Sequence, residues 1–189
     1  MRPPRADDYF AWVERLTIDH HHKEAFWHLI LSGPDALPAV RAGLAHDDPV
    51  VRAGCLRVLD HLVDDDAWGD LLEMLDDENA EVRFHALHAL ACDRCKENGC
   101  APTKATVLPH ALRVLRDDPA GPIRGMALEV VARWVHTDEV ALDAITRAHE
   151  SDPDRSVRKK AGWFVPGGPR YEKTKPKVRR GRRARTVTS

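Results

Sequence analysis

Asp48-Pro49-Val50-Val51-Arg52 is the stretch on which the fold turns, because the chain returns to it three times. The returns are Asp77-Glu78-Asn79-Ala80-Glu81-Val82-Arg83, Asp118-Pro119-Ala120-Gly121-Pro122-Ile123-Arg124 and Asp152-Pro153-Asp154-Arg155-Ser156-Val157-Arg158. Each ends in a β-branched residue followed by arginine, and each is followed by an apolar run with helical spacing. The four arginines lie 31, 41 and 34 residues apart. Self-similarity at such a period marks a stack of repeats, each too small to bury its own apolar face. The middle gap exceeds the period by about ten residues, so the array carries an insertion there.

Working outward, the apolar pattern predicts pairs of helices at 35–46 and 49–63, 66–76 and 80–92, 104–117 and 122–136, and 138–150 and 155–165. Three copies carry Asp-Pro, which is expected to open the second helix of its pair. The aspartate would cap the orphan N–H groups, and the proline would sit in the first turn. The Val or Ile at 51, 82, 123 and 157 then starts the inward stripe. Residues 7–32 predict one or two further helices, stopped by Gly33-Pro34. They hold five of the eleven aromatic residues, as suits a cap over the end of an array. His20, His21, His22 and His28 fall in the same stretch and are read as a solvated helix entry rather than a metal cluster.

These residues resemble the HEAT repeat family over about 34–165, with an Asp in the turn inside each unit and Val-Arg early in each second helix. The fold expected is all-α: a short HEAT-like α-α superhelix of four helix pairs (34–165) behind an N-terminal helical cap (1–33). The resemblance implies that Asp and Arg ladder between units and that the second helices line a concave face. Arg52, Arg83, Arg124 and Arg158 are then structural. Counted from each arginine, the second, fifth and ninth residues share a stripe that avoids the apolar one. That stripe supplies the candidate binding residues Arg57, His61, His85, His88, Glu129, Arg133 and Trp163. Gly54, Cys92, Met126 and Lys160 fall at the same positions. Mixed charge with a histidine-rich centre suits a protein segment better than a polyanion.

The insertion reads Cys92-Asp93-Arg94-Cys95-Lys96-Glu97-Asn98-Gly99-Cys100-Ala101-Pro102 and holds three of the four cysteines. Cys-x-x-Cys suits a zinc chelate turn, and Asn98-Gly99 permits the reversal that returns Cys100. His88, one turn before Cys92, is the first choice for a fourth ligand, ahead of His85, His61 and His110. A structural zinc on Cys92, Cys95, Cys100 and His88 is the expected reading. A redox pair or unliganded thiols stay open as alternatives. Cys55 belongs to the apolar stripe of its own helix and is set aside as a ligand.

Net charge is −1, but it divides unevenly. Residues 170–189 hold nine Lys/Arg against the single Glu172, while the rest of the chain is acidic. From Pro166 apolar residues become scarce, and 166–189 is expected to be a disordered basic tail. No apolar run approaches the roughly 18 residues needed to cross a bilayer, so no membrane role is expected. The first residues lack the apolar centre of a signal peptide, which makes the cytoplasm the expected compartment.

The function expected from all this is a non-catalytic scaffold that binds a partner protein through its concave face. The alternative is nucleic-acid binding by residues 170–189. Enzymatic versions are weaker. A resemblance to HEAT-like alkylpurine DNA glycosylases finds only Glu129, Trp134 and Trp163 as loose counterparts. The His-Glu pairs of HEAT-like deoxyhypusine hydroxylases find only His149-Glu150, away from the expected helix position. The HEAT-like bilin lyases share the repeat, but no attachment chemistry is legible in this chain.

Overall fold

The computed structural model describes residues 4–17, 19–62, 65–91 and 102–176. Among them the regular structure is helical throughout. The cap is α1 (Tyr9–Glu14) and α2 (Asp19–Ser32), followed by the pairs α3 (Leu37–Ala42) with α4 (Pro49–His61) and α5 (Trp68–Glu73) with α6 (Ala80–Ala91). Next come α7 (Lys104–Asp117) with α8 (Gly121–Val131), and α9 (Glu139–Ser151) with α10 (Arg155–Ala161). The second helices pack in file, α2 on α4, α4 on α6, α6 on α8 and α8 on α10. This is the all-α solenoid that the spacing predicts.

The register of the file is set by burial. The residue before each repeat arginine (Val51, Val82, Ile123, Val157) is buried, and so is the residue three beyond that arginine (Cys55, Ala86, Ala127, Ala161). The small side chains at that second position let neighbouring helices approach closely. The Leu56, Leu87 and Leu128 side chains that follow then fill the layer. Each fully buried aliphatic side chain contributes about 1.5–3 kcal/mol relative to exposure. Cys55 is packed so tightly that a Cβ on Gly43 would lie 2.5 Å from its sulfur. Burial pushes that thiol up to about 12, with Glu14 adding to the shift, so it is an inert core residue.

The repeat arginines join one unit to the next. Arg52 grips Asp77 with Nε and Nη2 at 2.8 and 2.9 Å. Arg83 grips Asp118 at 2.7 and 3.0 Å, and Arg124 grips Asp152 at 2.9 and 2.8 Å. All six side chains are almost entirely removed from solvent. Each Nη1 meanwhile donates to two carbonyls of its own turn, as Arg83 does to Asp77 and Glu78 at 2.9 and 3.1 Å. Every arm of the guanidinium is therefore used, which is what a buried charge requires. Arg158 ends the series. Its guanidinium donates to the carbonyls of Asp152 and Pro153, with no cross-unit aspartate among the described residues.

The ladder corrects the reading of the Asp-Pro pairs. Asp48, four residues before its arginine, does cap α4, accepting from the Val50 N–H at 2.8 Å. Asp118 and Asp152 lie six residues before theirs and are rungs, not caps. Each also accepts an N–H inside its own turn, from Ala120 and Asp154 respectively, both at 2.8 Å. The cap in the fourth copy is Asp154, on Ser156 N–H at 2.7 Å, while α8 follows Ala120 without a side-chain cap. In the first copy the rung position holds His46, whose Nδ1 accepts from the Asp48 N–H at 2.9 Å.

The C-terminal boundary also moves. The composition predicts a tail without structure from Pro166, but Pro169–Thr174 forms a further short helix, α11. Gly167 takes φ +85°, a conformation that favours glycine, and reverses the chain. A Cβ on Gly168 would sit 2.4 Å from the Gly162 carbonyl oxygen, so only glycine permits this approach. Tyr171 then packs on the core, 4.4 Å between ring centres from His136, and Arg170 and Tyr171 both donate to the Trp163 carbonyl at 2.9 Å. The remainder of the tail, 177–189, lies outside the described residues.

Two outcomes follow from the ladder. Arg83→Ala is expected to lower the unfolding free energy by about 3–5 kcal/mol in urea titrations, because it strands the buried Asp118. Arg158→Ala, with no cross-unit carboxylate to strand, is expected to cost about 1 kcal/mol; equal losses would contradict the ladder. Burial acts to raise the Asp77 and Asp152 carboxyls, but the Arg52 and Arg124 hydrogen bonds, turn N–H groups and arginine charge together hold both below the usual range. Their stabilisation is complete above the unfolded aspartate value of about 3.9 and is lost as pH falls below it. An Asp77→Asn/Asp152→Asn variant is accordingly expected to be less stable at pH 7 yet to lose less on acidification from pH 4 to 2.

Candidate functional site

At the N-terminal end of the file, α2, α4 and α6 leave a groove of about 400 Å³. Phe26 and Trp27 come from α2, Arg57, Asp60 and His61 from α4, and Phe84, His85 and His88 from α6. The groove exists because α2 sends two aromatic rings toward the ends of helices that otherwise carry polar side chains there. His61, the last residue of α4, packs edge-on against Phe26 at 5.6 Å and tilts over Trp27 at 6.3 Å. Trp27 is nevertheless half exposed, at 47%. Phe84 stacks with His88 at 6.4 Å between centres.

Arg57 is fixed rather than waving. Its guanidinium lies over the Phe26 ring at 5.0 Å, and its Nη1 is 2.8 Å from His22 Nε2. His22 Nδ1 is in turn 2.7 Å from the Leu16 carbonyl oxygen. The tautomer that satisfies both contacts is neutral, with the proton on Nδ1 donating to Leu16 and Nε2 accepting from Arg57. Burial, and then the Arg57 charge, hold the His85 imidazole below its ordinary value. His85 is thus neutral at pH 7, with Glu81 at 3.8 Å. Asp60 is the exception in this company. It is a buried carboxylate whose Oδ2 lies 3.5 Å from His88 Nε2 and whose Oδ1 has no hydrogen-bond partner.

The stripe named from the sequence therefore divides. Arg57, His61, His85 and His88 are brought together in this groove. Glu129, Arg133 and Trp163 lie further along the file. Glu129 is paired with Lys160 at 2.8 Å, which also donates to the Gly125 carbonyl at 3.1 Å, so it is not an unengaged acid. Arg133 follows the end of α8, lies 5.4 Å from the Trp134 ring centre and reaches the Ala91 carbonyl at 3.4 Å. Trp163 falls beyond the end of α10, in the turn that holds α11, where helical counting no longer fixes its direction. Gly54 is not surface at all, because a Cβ there would press on Leu16 at 3.2 Å. His149 sits on a first helix, 3.1 Å from the Arg158 carbonyl through Nδ1, away from the groove.

Counting from the repeat arginine could not find Phe26, Trp27 or His22, since the cap carries no such arginine. Asp60 left one signal, a carboxylate directly after the apolar pair Val58 and Leu59. A larger groove, about 630 Å³, runs between the first helices α7 and α9. Its flanking charges are engaged at close range, Arg147 with Asp143 and Arg116 with Asp117 at 2.7 Å. Among the described residues it has no buried oxygen without a hydrogen-bond partner like Asp60 Oδ1, so the smaller groove is the better candidate.

Cys92, Cys95 and Cys100 lie outside the described residues. Their proposed fourth partner, His88, stands in the last turn of α6 with Nε2 toward Asp60, which leaves Nδ1 as the ring nitrogen for a metal. Among the described residues no three His, Cys, Asp or Glu side chains gather as a metal site. No helix among them is long and apolar enough to cross a membrane.

No curated protein matches the chain. A crystal structure of an engineered protein is similar to it, with a TM-score of 0.48 and 18% identity over 82% of this chain and 76% of that one. A family model described as HEAT repeats matches residues 37–132, the span that holds the first three pairs and two of the three ladder rungs. With that match across half its length, the chain belongs to the HEAT repeat family.

Proposed function

We propose that this protein is a non-catalytic, cytoplasmic HEAT-repeat scaffold that binds a segment of a partner protein along its second helices. The observation that carries this reading is the groove between α2, α4 and α6. Aromatic surface, a fixed cation and three imidazole rings lie within one concavity there, at the end of a file held rigid by buried ion pairs. Aromatic and arginine side chains that are already positioned lose little freedom on binding, which favours them as anchors. Glu129, Arg133 and Trp163 extend the contact toward the C-terminal end. In affinity capture from cell extract, the Arg57→Ala/His88→Ala/Trp163→Ala variant is expected to lose at least about tenfold in partner recovery. Unchanged recovery by a folded triple variant would contradict the reading.

The insertion is proposed to hold a structural zinc on Cys92, Cys95, Cys100 and His88. The place of His88 supports this: it lies one turn before Cys92, with Nε2 on the Asp60 side at 3.5 Å, so Nδ1 is the nitrogen left for a metal. Three thiolates and one imidazole complete a tetrahedral site and leave no position for water, so its role would be to brace the loop. Protein purified without added metal is expected to carry one zinc per chain, and the Cys95→Ser/Cys100→Ser variant none. Metal-free parent protein would remove the site.

The second reading rests on charge alone, nine Lys/Arg against one Glu in residues 170–189. A basic segment of this kind binds nucleic acid by releasing counterions. Binding would then weaken steeply with salt and vanish on removal of 177–189. Salt-insensitive binding, or none, would count against it.

A further inference from the structure

We propose that the groove between α2, α4 and α6 receives a lysine or arginine side chain of the bound segment, with Asp60 as its counter-charge. The proposal rests on the reading that this face binds a protein segment, and it assigns the chemistry of the anchor. Asp60 lines the groove, yet its side chain is only 7% exposed, and Oδ1 has no partner. An ionised carboxylate in that state is costly unless a cation or donor compensates it. Arg57 does not do so. Its hydrogen bond goes to His22 and its face to Phe26, and no ion pair joins it to Asp60 among the described residues. His88 stands on the Oδ2 side at 3.5 Å, beyond a good hydrogen bond. The two oxygens share one delocalised charge, so a cation that reaches the Oδ2 edge from the groove compensates the carboxylate as a whole.

The walls fit the same guest. Trp27 and Phe84 line the groove from opposite helices, and Phe26, already covered by Arg57, closes it behind. A carboxylate among aromatic rings attracts an organic cation twice, through its charge and through the negative faces of the rings. The alkyl stem of lysine or arginine would cover the rings while its head reaches Asp60. An acidic side chain would meet the opposite arrangement, since the one fixed cation in the groove is already occupied.

The test is an NMR titration of the full chain with Nα-acetyl-lysine methylamide and Nα-acetyl-arginine methylamide, against their norleucine and glutamate counterparts. Both cations are expected to shift the Trp27 indole and Phe84 ring signals saturably, at least about fivefold more tightly than either counterpart. Asp60→Asn, nearly isosteric, is expected to weaken the cations about tenfold or more. Phe84→Leu is expected to weaken them about threefold, and it carries the test if Asp60→Asn fails to fold. Equal response to norleucine, stronger response to glutamate, or indifference to the two substitutions would overturn the proposal. Partner capture separates this from the scaffold reading. Capture that survives Asp60→Asn but fails in the Arg57→Ala/His88→Ala/Trp163→Ala variant overturns the cation pocket alone.

Discussion

Everything in this molecule depends on a guanidinium that must be satisfied from two repeats at once. One edge of each ladder arginine belongs to the turn of its own unit, through two carbonyls, and the other to the aspartate of the next. A unit alone would bury a cation without its counter-charge, at a cost of several kcal/mol. A correctly stacked neighbour removes that cost. The ladder thus converts local turn geometry into a rule for how units sit on one another. It also explains why the residues around it repeat so closely: a slip of one residue would leave both partners buried and unpaired.

A rigid file frees its outer face from structural duty, and the chain uses the two ends of that face differently. At the C-terminal end the polar side chains are spent internally. Lys160 holds Glu129, and the Trp163 backbone anchors α11. At the N-terminal end the cap brings two aromatic rings against helices that carry arginine and histidine, and a concavity results. The difference comes from the caps: α2 is fourteen residues long and reaches over α4, whereas α11 has six and tucks beneath the last turn. The concavity therefore lies where a long capping helix meets the file.

The fold was legible because burial and charge repeat together. Val-Arg at a period in the thirties located α4, α6, α8 and α10 and the family that they belong to. What the arginine ruler could not do was distinguish two aspartates near one turn. Asp48 is four residues from its arginine and Asp118 six, and that shift separates a cap from a rung. Half of the candidate groove was legible for the same reason, since Arg57, His61, His85 and His88 lie on regular helix. Trp163 stands apart from that groove because its helix ends before it, and the aromatic half of the groove escapes the repeat spacing because the cap lies outside the repeat. Pro166-Gly167-Gly168-Pro169 reads as the end of order, yet its glycines make a tight reversal that starts another helix.

The central claim is that the face built by α2, α4 and α6 is where a partner segment lies, rather than the larger groove between α7 and α9. Site-specific photocrosslinking decides between them most directly. A benzoylphenylalanine introduced in place of Trp27 on one face, or of Val140 on the other, reports which surface a bound protein touches; both positions are well exposed. The account requires a discrete crosslinked adduct from position 27 and background labelling from position 140. Adducts from position 140 with none from position 27 would contradict it.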